Sequence, residues 1–218
     1  MGCFFSLTGS TAVSGSIGDT LVPPSTSPVT ITARLLDENT NGLAATLFYR
    51  NASSTSLPAF SSVPMWDDGA HGDGAAGDGI YGAILAPQPN LTVIEFYVAA
   101  TNALGLGRTW PPAGLDANDI PLQQANAHYQ VDDSIYAGNQ PFYRVVMTEP
   151  DRAELRSAHD HDVNSENTID AQMNMTFITA DGAESLCVYN CGIRNRGAGT
   201  RSAWPPRRAQ NSRSSSSE

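Results

Sequence analysis

Lysine is absent from this chain of 218 residues; all twelve basic residues are arginine. A phosphate-cradling P-loop lysine, a Schiff-base lysine and a kinase-type phosphate lysine are therefore excluded in this sequence as it stands. Mutational bias toward arginine codons and a surface kept soluble by aspartate both account for the absence, and the sequence does not separate them. Charge of either sign is sparse, at 16%, and the balance is −10 with a pI near 4.7. That balance argues against a nucleic-acid surface, where a basic patch would set affinity, so nucleic acid is not an expected partner. Cysteine is limited to Cys3, Cys187 and Cys191, too few for a disulfide framework or a zinc ribbon. Cys187 and Cys191 fall on one expected strand, where their Cα atoms would stand roughly 13 Å apart; a disulfide needs less than about 7 Å. No run of eighteen apolar residues is present, so no transmembrane helix is expected.

What is present is enough to fold. Hydrophobic residues make up 40% of the chain, which supports a buried core. Gly and Pro, at 19 and 14 residues, follow no triplet period, so a collagen-like polymer is out. The start, MGCFFSLTGS, lacks a basic segment and a proper apolar core and does not read as a normal signal peptide. It matches the myristoylation pattern by letter, with Gly2 and Ser6. Asn51-Ala-Ser53, Asn90-Leu-Thr92 and Asn174-Met-Thr176 fit the N-glycosylation pattern, which matters only if the host glycosylates and exports the chain.

The expected fold class is mainly β: an immunoglobulin- or fibronectin-like β-sandwich followed by an incomplete α+β unit. Residues 1–27 read as an irregular N-terminal segment. From 28 to 111, short period-two runs alternate with turn residues. Val29, Ile31, Ala33 and Leu35 share one face of the first strand; Ile94, Phe96, Val98 and Ala100 alternate against Glu95 and Tyr97 in the strongest. Pro64 marks FSSVPMW as an edge. One face of the sheets is expected to be wet. Residues 112–140, rich in Gln, Asn, Asp and Pro, read as a linker. From 141 to 206 the pattern becomes strand, helix and hairpin. Thr148 is the expected N-cap, with Pro150 in the first turn and Asp151 closing a capping box. Met173, Met175 and Phe177 fall on one face of the next strand and Gln172, Asn174 and Thr176 on the other; Asp181-Gly182 turns the hairpin. Residues 207–218 form a Ser/Arg tail expected to be disordered, in composition unlike the acidic body. That contrast fits a real tail or a shifted reading frame.

The densest chemistry is Trp66-Asp67-Asp68-Gly-Ala-His71-Gly-Asp73-Gly-Ala-Ala-Gly-Asp78-Gly-Ile-Tyr81. Asp67, Asp68, Asp73 and Asp78 on a Gly-rich loop are hard oxygen donors that suit calcium. The same residues suit a loop whose carboxylates bind its own amides while Gly supplies positive φ. The spacing is not that of an EF-hand, and Gly72-Asp73-Gly74-Ala-Ala-Gly77 lacks the βαβ context of a nucleotide site. His159-Asp-His161-Asp162 reads as a transition-metal chelate or a solvated loop, and Asp132-Asp133 as linker rather than a catalytic pair. Arg194, Arg196 and Gly197 form a basic turn that suits phosphate or carboxylate, or an ordinary surface turn.

Pro141-Phe-Tyr-Arg-Val-Val-Met-Thr-Glu149, the helix DRAELRS, Asp170-Ala-Gln-Met-Asn-Met-Thr-Phe177, Tyr189-Asn190 and Gly192-Ile-Arg194-Asn-Arg196-Gly197 resemble the opening of CotH kinase family (spore coat protein H-like) proteins. WDDGAHGDGAAGDGIYGA and IEFYVAATNALG resemble the Ig-like module that often precedes that region in secreted or surface bacterial proteins. The resemblance implies ATP-dependent phosphorylation by an atypical kinase in the full-length parent, with ATP and Mg as its cofactors. It places Arg194, Arg196 and Gly197 near nucleotide. It stops at Pro206, before the family's catalytic aspartates and metal ligands, so this chain is expected to be an inactive fragment of an exported protein. Its expected place is extracellular or at the cell surface. Its expected partners are a protein or a cell-surface polymer. The alternatives are an adhesion module whose loops, stiffened by calcium, bind glycan or protein, favoured by the Asp/Gly loop and the aromatics Trp66, Tyr81 and Trp110, or a plain structural spacer.

Overall fold

In the computed structural model, residues 4–6, 21–37, 42–115, 118–134, 140–160, 172–180 and 185–194 are described. The protein is mainly β. One sheet has the order β1 (Phe4–Ser6), β2 (Val29–Leu36) and β5 (Ile80–Leu85). The other runs β10 (Ala127–Gln130), β6 (Val93–Thr101), β3 (Ala44–Asn51) and β4 (Ser61–Met65), with β7 (Gly107–Trp110) also paired to β6. All these pairings are antiparallel. This division of strands is the one an immunoglobulin- or fibronectin-like sandwich takes.

The alternation explains why the sheets face each other. Val29, Ile31, Ala33 and Leu35 are buried from one sheet; Leu47, Ile94, Phe96 and Val98 meet them from the other, in one continuous core. Burying such side chains contributes about 1.5–3 kcal/mol each. Pro64 lies opposite Thr46 on β4, at the end of the strand order, where its missing N–H costs the ladder nothing.

Residues 112–140 do not form a linker throughout. The segment contains β8 (Gly114–Leu115) paired to β9 (Pro121–Leu122), then β10, which pairs with the first half of β6. Ala127 and Tyr129 are buried in the sandwich core. Asp132 N–H donates to Pro23 O, and the Asp133 carboxylate accepts from Ser25 N–H and Oγ, so the end of this segment is tied to the N-terminal region. That region is not wholly irregular either, since β1 pairs with Arg34–Leu36.

The second unit is β11 (Phe142–Val146), α1 (Glu149–Asp160), β12 (Met173–Ala180) and β13 (Ser185–Ile193), with sheet order β11-β12-β13. Thr148 caps the helix as its sequence dictates: Asp151 N–H donates to Thr148 Oγ1 at 3.2 Å, and that hydroxyl donates to the Asp151 carboxylate at 2.7 Å. The helix runs through His159 to Asp160, so His159 is not on an extended chain; Asp162 and His161 lie outside the described residues. Arg152 and Arg156 reach back to Glu149. The hairpin between β12 and β13 forms, although Asp181-Gly182 lies outside the described residues.

The inward face of β12 differs from what its apolar residues suggest. Met173 is buried as its face predicts, but so are Thr176, Ile178 and Ala180, while Phe177 stacks on exposed Tyr143 at 6.0 Å. The reason is hydrogen bonding across to β10, described below. On β13, Met175 pairs with Cys191 but Phe177 with Val188, so Tyr189 and Asn190 together oppose Thr176. This is a β-bulge, and Asn190 takes φ 54° to make it. It throws Tyr189 onto Phe96 and Trp110, with ring centroids at 6.0 and 5.5 Å, both edge to face. Cys187 and Cys191 are free thiols.

Thr148→Ala removes the cap and is expected to cost about 1 kcal/mol. Thermal unfolding should show this as a fall of about 2–4 °C in Tm for a chain of this size.

Candidate functional site

The Asp/Gly loop joins the two sheets. β4 ends at Met65, and Trp66 then pairs with Gly82 of β5 through both backbone bonds, at 2.9 and 2.7 Å. Residues 67–79 fill the crossing. A Cβ at Gly82 would collide with the His71 carbonyl, so the loop lies directly on the strand. Gly72, at φ 72°, presses against Thr30, and a Cβ there would come within 2.7 Å of its methyl group.

Each of the four aspartates serves the loop's own backbone. Asp73, 1% exposed, accepts from Asp68 N–H and Gly69 N–H on Oδ2 and from His71 N–H on Oδ1, at 2.7–2.8 Å. Asp67 accepts from Gly77, Asp78 and Gly79 N–H. Asp68 accepts from Ala70 N–H and lies 2.9 Å from His71 Nδ1. Asp78 accepts from Ala75 and Ile80 N–H. Burial alone would push the Asp73 carboxyl up, but the surrounding amides outweigh it and hold it below the ordinary carboxylate value. The His71 ring, then the Ala70 amide, hold Asp68 down as well. Among the described residues, no group of three or more His, Cys, Asp or Glu side chains is placed to hold a metal ion. The bonds observed are those of the self-binding loop.

A second polar cluster was not foreseen. Arg50, Glu95 and His128 lie opposite one another in register across β3, β6 and β10. The sequence puts Glu95 on a wet face; the structure buries it to 2% exposure. Arg50 Nε donates to Glu95 Oε2 and Asn126 Nδ2 to Oε1, both at 2.6 Å. Because a carboxylate only accepts, Asn126 must present its NH₂, leaving its oxygen to accept from Gln123 Nε2 at 2.9 Å. Gln123 Nε2 also donates to Pro111 O. The Arg50 guanidinium lies 4.1 Å over the Phe60 ring.

The second unit closes over this cluster. Thr176 Oγ1 accepts from His128 N–H at 3.0 Å, and Asn174 Nδ2 donates to Asn126 O at 2.6 Å. These are backbone groups on the side of β10 away from β6, and polar side chains satisfy them where a further strand would. Asn174 is therefore engaged inside the protein rather than displayed as a glycosylation acceptor. Glu149 N–H donates to Ala52 O, and Arg144 bridges Asp132 and Gln130. Asp132 thus holds an arginine. Burial raises the Asp151 carboxyl, opposed by its Thr148 bond, with Glu95 and Glu154 adding to the rise. The His128 ring is 1% exposed with neither nitrogen partnered. Burial pushes it down to about 4, with Glu95 opposing and Arg50 assisting.

Of the other residues singled out from sequence, Arg194 is exposed just beyond β13, while Arg196 and Gly197 lie outside the described residues. Trp66 is half exposed near the His71 ring. Trp110 is taken up by Tyr189. An aromatic group absent from the sequence reading, Phe48 stacked on Tyr97 at 4.8 Å with Phe60 edge-on, sits beside Arg50.

Asp73→Asn is expected to destabilise the protein by about 3 kcal/mol, since an amide would confront donors that now meet a charge. The folded pKa of Asp73 lies below its unfolded value. Its stabilisation is therefore complete above the unfolded value, near ~4, and is lost as pH falls through the folded one. Denaturant titrations at pH 7 and pH 3 should show the gap between wild type and Asp73→Asn shrinking at the lower pH. Calorimetric titration with calcium should give no heat and no shift in melting. Glu95→Gln should cost about 3 kcal/mol by leaving Arg50 without its counter-charge, measured the same way at pH 7. Comparison with known proteins adds no relative: no family model matches the chain, and no curated protein does.

Proposed function

We propose that this chain is a scaffold module of a protein exposed at the bacterial cell exterior. In it a β-sandwich holds the opening strands of a CotH-type kinase-like unit in one fixed orientation. The observation that carries this reading is the contact of β12 and β13 with the sandwich. Polar bonds from Thr176 and Asn174 meet β10, and Tyr189 packs on Phe96 and Trp110. A spacer has no use for such a contact, whereas a part that positions another needs it. The resemblance of residues 141–206 to the CotH family supplies the kinase-like identity. Phosphoryl transfer needs metal-held phosphates and a base for the nucleophile. The described residues bring no such set together, so ATP and Mg are assigned to the full-length parent. The exterior location and a protein or cell-surface polymer as partner follow from the same resemblance.

A second reading keeps the sandwich and gives it a ligand. Phe48, Phe60 and Tyr97, half-buried beside Arg50, offer apolar faces next to a cation, which suits a glycan or a peptide at the cell surface.

Scanning calorimetry of the whole chain at pH 7 tests the scaffold reading. The expected result is one transition in which calorimetric and van't Hoff enthalpies agree. Thr176→Val should lower its midpoint by leaving His128 N–H buried without an acceptor, at about 1–2 kcal/mol. Two separate transitions would defeat the reading. Mg-ATP should neither raise the midpoint nor be hydrolysed, and turnover by these 218 residues would overturn the assignment of catalysis to the parent. Retention of surface glycan by wild type but not by Tyr97→Ala would favour the second reading.

A further inference from the structure

The His128 ring is buried with neither nitrogen partnered, and the hydroxyl of Tyr129, the next residue on β10, is the other buried ionisable group without a partner among the described residues. The ring sits on β10, at the plane where the sandwich meets the second unit. The backbone N–H of His128 donates across that plane to Thr176 Oγ1, and the carbonyl of Asn126 two residues earlier accepts across it from Asn174 Nδ2.

We propose that this contact is an acid-sensitive joint, in which protonation of His128 releases the β11-β12-β13 sheet from the sandwich while the sandwich stays folded.

A protonated ring would carry two buried donors, and neither ring nitrogen has a hydrogen-bond partner as the protein stands. From β6 it faces Glu95, whose charge favours the protonated ring but whose hydrogen bonds go to Arg50 and Asn126 and not to either ring nitrogen. From β3 it faces Arg50 itself, a cation. α1 brings Glu149, bound to Arg152 and Arg156, and Asp151, bound to Thr148. β11 brings Arg144, held by Asp132. β12 has no ionisable residue, and β13 offers Cys187, Tyr189 and Cys191. Among the described side chains, Glu149 and Asp151 are thus engaged elsewhere, and Glu95 is the carboxylate that acts on the ring.

Relief comes more readily by opening the joint than by peeling β10 from the core. β10 is laddered to β6 along its length, with Ala127 and Tyr129 in the core behind it. Across the joint, one backbone-to-backbone bond is described, Glu149 N–H to Ala52 O; the rest run through side chains. Two further buried acceptors at the same place, Gln123 Oε1 and Asn174 Oδ1, have no partner and would gain water on opening. The sign follows from the folded value of about 4, which lies below the ordinary histidine value of about 6.5. The joint is at full strength above the ordinary value and weakens as pH falls from there toward the folded one.

Hydrogen exchange by mass spectrometry on the whole chain, from pH 7.5 to 4.5 and corrected for intrinsic rates, tests the joint. The expected result is that amides of Met173–Ala180 and Ser185–Ile193 lose at least tenfold in protection by about pH 5, while those of β3 and β6 keep theirs. His128→Leu should abolish the response, since it removes the charge and no hydrogen bond of the ring. His71→Gln should retain it. Simultaneous loss in β6 and β12, no loss in either, or an unchanged response in His128→Leu would each overturn the proposal. If His128→Leu fails to fold, His128→Phe takes its place, and the wild-type contrast between β6 and β12 decides by itself.

Discussion

The arrangement of this protein outside its apolar core depends on one buried carboxylate. Glu95 stands on the face of β6 that strand alternation assigns to solvent, and it is 2% exposed. A charge so placed is costly unless it is paired and fully hydrogen-bonded. Arg50 on β3 and Asn126, one residue before β10, complete it from either side. The acceptor-only chemistry of Glu95 then fixes Asn126, which fixes Gln123, whose amide reaches the Pro111 carbonyl. One carboxylate therefore orients side chains from β3 and from the segment just before β10. The second unit lies over that cluster because its own polar residues complete what β10 leaves open.

This division explains what the sequence disclosed. Period-two alternation located β2, β3, β5 and β6, since their inward residues are uniformly apolar. The capping box located the start of α1, because cap and closing residue are three apart. β10 escaped notice: Ala127-His128-Tyr129-Gln130 is short, and its neighbours are Gln, Asn and Asp. Only the pairing with β6 makes it a strand. The inward face of β12 was equally hidden. Asn174 and Thr176 read as solvent-facing until the unpaired edge of β10 is known to lie against them. The bulge at Tyr189-Asn190 leaves no periodic trace either, although Asn is a residue that tolerates positive φ.

The two acidic clusters differ in the same respect. In the loop from Asp67 to Gly79 every carboxylate finds its donors within thirteen residues of chain. Composition alone was enough to raise that solution beside calcium. Glu95 is satisfied by residues 45 and 31 positions away, so no local pattern announces it. Candidate sites read from sequence are biased toward the first kind. Here the first kind is structural, a cross-sheet loop packed onto Gly82 and Thr30. The residues that govern how the two units meet are of the second kind.

The missing lysine gains meaning in this light. Every ion pair made by a basic side chain other than histidine, among the described residues, uses an arginine. Two of them use the fork for more than charge. Arg50 holds Glu95 while its plane covers Phe60 and one nitrogen reaches Pro58 O; Arg144 holds Asp132 and Gln130 at once. A lysine at position 50 would keep the charge but lose the planar face over Phe60, and its single ammonium would have to choose among acceptors. Whatever put arginine throughout the chain, the contact between sandwich and second unit has come to rely on its geometry. Arg50 sets Glu95, Glu95 sets Asn126, and Asn126 presents the carbonyl that Asn174 binds. Through that chain, a cation on β3 governs where β12 comes to rest.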